Sequence, residues 1–68
     1  MTLSARNHLA GTIEEITYDT VVCHLVIRVG DHLIESVITR RSADDLSLKR
    51  GDQVTAVVKA TEVMVSKP

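Results

Sequence analysis

The sequence predicts an all-β protein, a small OB-like five-stranded β-barrel with one short helix between strands 3 and 4. Three observations carry that prediction. Apolar residues alternate at period two through Val21, Cys23, Leu25, Ile27 and Val29. The remaining apolar runs are short and separated by polar turns, two of them containing Gly30 or Gly51. A single helix-start pattern, Ser42-Ala43-Asp44-Asp45, stands between the third and fourth runs. With no linker or low-complexity tract, residues 1–68 are predicted to form one domain.

The first strand covers His8 to Ile16, where Gly11 in mid-strand and a phase change between Ile13 and Ile16 predict a bulge or sharp bend. Thr17-Tyr18-Asp19-Thr20 is a polar turn. In the second strand, from Val21 to Val29, the opposite face carries Val22, His24, Val26 and Arg28, so it is only half polar and is expected to be covered by another copy of the chain. Gly30-Asp31-His32 makes a hairpin into the third strand, Leu33 to Thr39, which Arg40-Arg41 closes. Ser42 is the predicted N-cap of a helix of one or two turns with acidic residues in its first turn. The chain returns through Ser47-Leu48-Lys49-Arg50-Gly51-Asp52 to a fourth strand, Gln53 to Ala60, and a short fifth, Glu62 to Val65.

Composition narrows the function. Hydrophobic residues make up 44% of the chain, yet Tyr18 is the sole aromatic, so the core must be built from Val, Ile, Leu and Ala. A chain of 68 residues without large aromatic anchors is short of buried area, which predicts an obligate oligomer. One cysteine, Cys23, excludes an intrachain disulfide, and the scattered His8, His24 and His32 have no metal-ligand spacing, so no metal-cation site is expected. Residues 1–6 lack the apolar core of a signal peptide and no run approaches the roughly 20 residues of a membrane span, so the chain reads as cytoplasmic with no membrane partner. A net charge of -1 and a lone Tyr lack the basic groove and stacking platforms that OB-like barrels use on nucleic acid. No nucleophile elbow or phosphate loop orders the Ser, His and Asp residues, and no catalytic residues are assigned. Glu14-Glu15 reads as a solvated strand end and Asp44-Asp45 as helix capping. A purely structural or regulatory assembly module is the remaining class.

An oxyanion site needs only backbone N–H groups, hydroxyls and one or two cations. Taken singly, Ser42 reads as an N-cap, Lys59 as a surface lysine and Arg6 as part of a solvated arm. Together they fall into blocks: Ser4-Ala5-Arg6-Asn7 with Gly11-Thr12-Ile13; Val37-Ile38-Thr39 leading to Ser42-Ala43; Leu46, Gly51 and Val54; and Val58-Lys59-Ala60 followed by Val63-Met64. In this order the blocks resemble the molbindins, the small Mop-type molybdate-binding proteins, over essentially the whole chain.

The resemblance implies an OB-like barrel and a homohexamer built as a trimer of dimers. It also implies molybdate or tungstate bound between subunits for intracellular storage and homeostasis, without catalysis or an organic cofactor. Carried over by position, Ser4, Arg6, Ser42 and Lys59, with the N–H of Ala60, are the implied intersubunit ligands. Asn7 and His8 are candidates for a site on a threefold axis. Molybdate is a tetrahedral dianion that only accepts hydrogen bonds. Lys59 and Arg6 would offset its charge, and the Ser4 and Ser42 hydroxyls with the Ala43 and Ala60 N–H groups would set its geometry. Three departures accompany the match. Ser47 stands where members commonly have Gly, Asp44 and Asp45 put negative charge beside the helix start, and His8 replaces another polar residue.

Overall fold

The computed structural model describes residues 6–68. Four strands, β1 (Asn7–Tyr18), β2 (Val22–Val29), β3 (His32–Thr39) and β4 (Gln53–Val58), form one sheet in the order β3-β2-β1-β4. Every neighbouring pair is antiparallel. A short helix, α1 (Arg40–Asp45), follows β3, and a 3-10 turn spans Ala60–Glu62.

β1 is the strand that shapes the sheet. Its register against β2 shifts between Ile13 and Glu15, so Glu14 is the extra residue of a bulge, as the phase change predicted. Leu9 and Ile13 pack inward before the bulge and Ile16 after it, at the changed parity. Its first half, Asn7 to Thr12, pairs with β4, and its second half, Thr12 to Tyr18, pairs with β2. Gly11 stands next to Thr12, where the two pairings meet. A Cβ there would lie 2.6 Å from the Arg28 carbonyl oxygen and 2.8 Å from Ile27 Cγ2, so only glycine admits this approach of β2. The loop before β4 completes the bulge. Ile13 N–H donates to the Asp52 carbonyl (2.9 Å), and Gly51 N–H donates to the Ile13 carbonyl (2.8 Å).

β2 follows its predicted alternation, with Cys23, Leu25 and Ile27 buried and His24 and Arg28 exposed. Val29 pairs with His32, so Gly30 and Asp31 form a two-residue hairpin loop, with Gly30 at a φ of 60°. The core comprises Ile13, Cys23, Leu25, Ile27, Ala43 and Ala56, flanked by Leu9, Ile16, Val29, Ile38, Leu48 and Val54.

Three expectations are corrected. The helix starts earlier than predicted, because the β2–β3 ladder ends at the Val22–Thr39 pair and Arg40 N–H turns to the Val21 carbonyl (2.8 Å). Its N-cap is therefore Thr39, whose hydroxyl oxygen accepts from Ser42 N–H (3.0 Å), and Arg40 and Arg41 are its first residues. Second, β4 ends at Val58 rather than Ala60. Third, the predicted fifth strand does not form: the 3-10 turn takes Ala60–Glu62, and Val63, Met64 and Val65 are 52%, 92% and 92% exposed. The sheet is thus four-stranded and open rather than a closed five-stranded barrel. Across the opening, β3 and β4 face each other over an apolar cleft of about 340 Å³ lined by Ile34, Ile38, Leu46, Leu48, Val54 and Val58. After Lys59 the chain runs into a turn, and the apolar tripeptide that follows it, Val63-Met64-Val65, pairs with neither free edge of the sheet.

Candidate functional site

The candidate residues fall into two groups at opposite ends of β1. Asn7 and His8 open β1 and pair with Val58 and Val57 at the end of β4. Arg6 and Lys59 flank the Asn7–Val58 pair, one just before β1 and the other just after β4, so the register puts the two cationic residues at neighbouring strand ends. Both are exposed and, among the described residues, neither enters an ion pair. Lys59 is also the N-cap residue of the 3-10 turn, and no side chain caps that turn. The turn's internal bonds begin with Glu62 N–H to the Lys59 carbonyl (2.9 Å). The Ala60 and Thr61 N–H groups precede that first bond and have no partner within the turn. Asn7 is half-buried and His8 exposed. Ser4, the remaining member of the first block, lies outside the described residues.

The second group sits on α1, beyond the far end of β1. Ser42 is exposed, and its Oγ accepts from the Thr39 hydroxyl at 2.8 Å. Ala43 is fully buried and belongs to the core cluster. With Thr39 as N-cap, the first i→i−4 bond of the helix runs from Ala43 N–H to the Thr39 carbonyl, so that donor is used inside the helix. A clamp ties α1 to the sheet. The Arg40 guanidinium donates to the Asp19 carbonyl (3.0 Å) and to Asp44 Oδ1 (3.2 Å), and it lies 4.8 Å from the Tyr18 ring centre. Tyr18 in turn donates its hydroxyl proton to the Leu48 carbonyl. Partial burial, reinforced by Cys23, pushes the Tyr18 phenol above its ordinary 10.0, so it keeps that proton in neutral solution. Burial likewise raises the Cys23 thiol, which makes it a core side chain and a poor nucleophile. Asp44, the departure closest to the clamp, is held by Arg40; Asp45 is exposed.

α1 ends in a Schellman motif, with Leu48 N–H on the Ala43 carbonyl (3.2 Å) and Ser47 N–H on the Asp44 carbonyl (3.0 Å). Ser47 occupies the left-handed position of this motif at a φ of 51°, which is the conformation that glycine adopts without strain. Ser47, which the molbindin resemblance marks as a departure in the turn after the helix, is the residue of this cap.

No hydrogen bond or ion pair among the described residues joins the two groups. An open concavity of about 620 Å³ is lined by residues that include Gly11, Thr12, Arg28, Gln53 and Thr55 and by none of the candidates. Its one cation is spent: Arg28 makes a bidentate pair with Glu14 at 2.7 and 2.9 Å. No cluster of His, Cys, Asp and Glu that could hold a metal ion occurs among the described residues. No helix among them is long and apolar enough to cross a membrane.

Residues 3–65 match the TOBE domain family. The chain belongs to the TOBE domain family. Within it, the relatives are of the molbindin type anticipated from the motif blocks. Molybdenum-pterin-binding protein 2 of Clostridium pasteurianum is 38% identical over 66 residues, covering 96% of this chain and 97% of its own. A molybdate binding protein from Sporomusa ovata superposes on this TOBE domain with a TM-score of 0.92 at 43% identity, over 98% of this chain and 100% of that one. MopII from Clostridium pasteurianum superposes with a TM-score of 0.89 at 36% identity, over 97% of this TOBE chain and all of its own.

Proposed function

We propose that this TOBE chain binds molybdate or tungstate at the interfaces of a homo-oligomer and serves molybdenum storage and homeostasis in the cytoplasm, without catalysis. One observation carries the reading. The β1–β4 register sets Arg6 beside Lys59 next to the uncapped Ala60 N–H, a cluster of hydrogen-bond donors with two positive charges and no ion pair among the described residues. A dianion that can only accept hydrogen bonds matches such a cluster. The names of the relatives, molybdate binding and molybdenum-pterin-binding, support the choice of anion.

The arrangement favours a site shared between subunits. Arg6, Lys59 and Ala60 supply one side, with Ser4, and Ser42 supplies the other from a neighbouring copy. In that role Ala43 contributes its small side chain, which lets α1 seat Ser42 closely on the sheet, rather than its N–H. Asn7 and His8, next to the first side, remain the residues for an anion on a threefold axis of a homohexamer arranged as a trimer of dimers.

Association has independent support. The chain exposes 5617 Å², whereas a compact monomer of 7.5 kDa exposes about 4,250 Å². Leu33, Val37, Leu46, Val63, Met64 and Val65 are each more than half exposed, an apolar surface that further copies would cover.

Calorimetric titration with molybdate, tungstate and sulfate tests the reading. Heat with the first two and little with sulfate is the expected result; no heat with molybdate, or equal binding of sulfate, overturns it. Lys59→Ala removes one of the cations and is expected to abolish these sites while the oligomer keeps its mass. Unchanged stoichiometry in that variant would show the site to lie elsewhere.

A further inference from the structure

Arg40 and Arg41 are adjacent arginines that the sequence alone treats as equivalent strand-end charges. The fold gives them different surroundings. Arg40 is committed on every side: to the Asp19 carbonyl, to Asp44 and to the Tyr18 ring. Arg41 is exposed and, among the described residues, makes no ion pair or side-chain hydrogen bond, although Asp45 lies one turn further on. It immediately precedes Ser42, which is also exposed, so both side chains leave the first turn of α1 toward solvent.

The Ser42 side of the anion site has a charge problem that this difference resolves. Within α1 the acidic residues Asp44 and Asp45 equal Arg40 and Arg41 in number, and Arg40 is neutralised by Asp44. Arg6 and Lys59 of the same chain are at the other end of β1. A dianion approaching Ser42 therefore meets two charges that, among the described residues, enter no ion pair: the Asp45 carboxylate, which repels it, and the Arg41 guanidinium, which offsets that repulsion.

We propose that Arg41 is an additional affinity-determining residue of the oxyanion site, supplying positive charge from the Ser42 side, while Arg40 is a positioning residue that holds α1 to the sheet and keeps Asp44 engaged. The proposal rests on the oxyanion reading above. Arg41's planar fork can meet two oxygens of a tetrahedral oxyanion, and as an exposed group it acts through a field that salt screens.

The test compares wild type, Arg41→Gln, Arg41→Lys and Arg40→Gln by molybdate calorimetry at low and high salt, with thermal unfolding and oligomer mass measured on each. Arg41→Gln is expected to weaken molybdate binding roughly three- to tenfold, with unchanged Tm, mass and stoichiometry, and the difference from wild type should shrink at high salt. Arg41→Lys should recover most of the loss. Arg40→Gln should lower the Tm. Wild-type affinity in Arg41→Gln, with wild-type protein binding molybdate normally, overturns the proposal and leaves the oxyanion reading intact. Absence of molybdate binding by wild type overturns both.

Discussion

Ser47 illustrates how a single residue records a backbone requirement. The Schellman turn after α1 needs a left-handed residue, and Ser47 provides it at a φ of 51°. The left-handed region costs a residue with a Cβ about 1–2 kcal/mol, part of which glycine gives back through its greater freedom when unfolded. Ser47→Gly is accordingly expected to raise stability by about 0.5–1 kcal/mol in chemical denaturation; a loss of stability would show that the serine side chain makes a compensating contribution. Gly11 is the opposite case. Its need for glycine comes from the Arg28 carbonyl pressing on the position of the missing Cβ, a contact between two strands rather than a turn conformation.

Among the elements, the loop before β4 is the one that stabilises another element at a distance. Asp52 Oδ2 accepts from Lys49 N–H at 3.0 Å, the Lys49 ammonium stands 3.0 Å from Oδ1, and the loop's own backbone closes the β1 bulge at Ile13. The side-chain hydrogen bond from Lys49, then its backbone N–H, holds the Asp52 carboxyl below its ordinary 3.8. A carboxyl depressed in the folded state stabilises the fold fully above its unfolded value, and that contribution is lost as the pH falls through the folded one. The loop is therefore expected to weaken below pH 3.8. Following urea midpoints from neutral to acid pH checks this. Asp52→Asn should be less stable than wild type at neutral pH and should show a shallower decline on acidification, whereas parallel curves would remove Asp52 from the acid transition.

For the whole molecule, the open sheet and the divided site have the same origin. The described residues supply four strands and a small core of mostly aliphatic side chains, leaving the β3 and β4 edges without a further strand and the apolar stretch Val63-Met64-Val65 exposed. The candidate ligands follow suit, since α1 and the Arg6–Lys59 corner lie at opposite ends of β1. Dissociating the proposed homo-oligomer by dilution is thus expected to abolish molybdate binding while the β-sheet signal in circular dichroism persists. Full affinity in the monomer would mean that one chain closes the site on its own.

The strands were legible in the sequence wherever a local pattern sufficed. Period-two alternation marked β2, Gly11 with the phase change marked the bulge of β1, and Gly30-Asp31 marked the hairpin. Thr39 was not legible as the helix cap, because Ser42 carries an equally good capping side chain and only the end of the β2–β3 ladder decides between them. Glu62 to Val65 had the composition of a strand, but a strand also has to reach an edge of the sheet, and composition does not reveal that the 3-10 turn at Ala60–Glu62 precedes it and that neither free edge takes it up. The candidate site divides in the same way. The residue types suited to an oxyanion, Arg6, Ser42, Lys59 and Ala60, could be named from the sequence. The tertiary structure decided that Arg6 and Lys59 lie at neighbouring strand ends, that Ser42 lies apart, and that Arg40 is engaged while Arg41 enters no ion pair among the described residues. Propensities act over a few neighbouring residues, whereas these outcomes depend on strand register and on which side chains meet across the sheet.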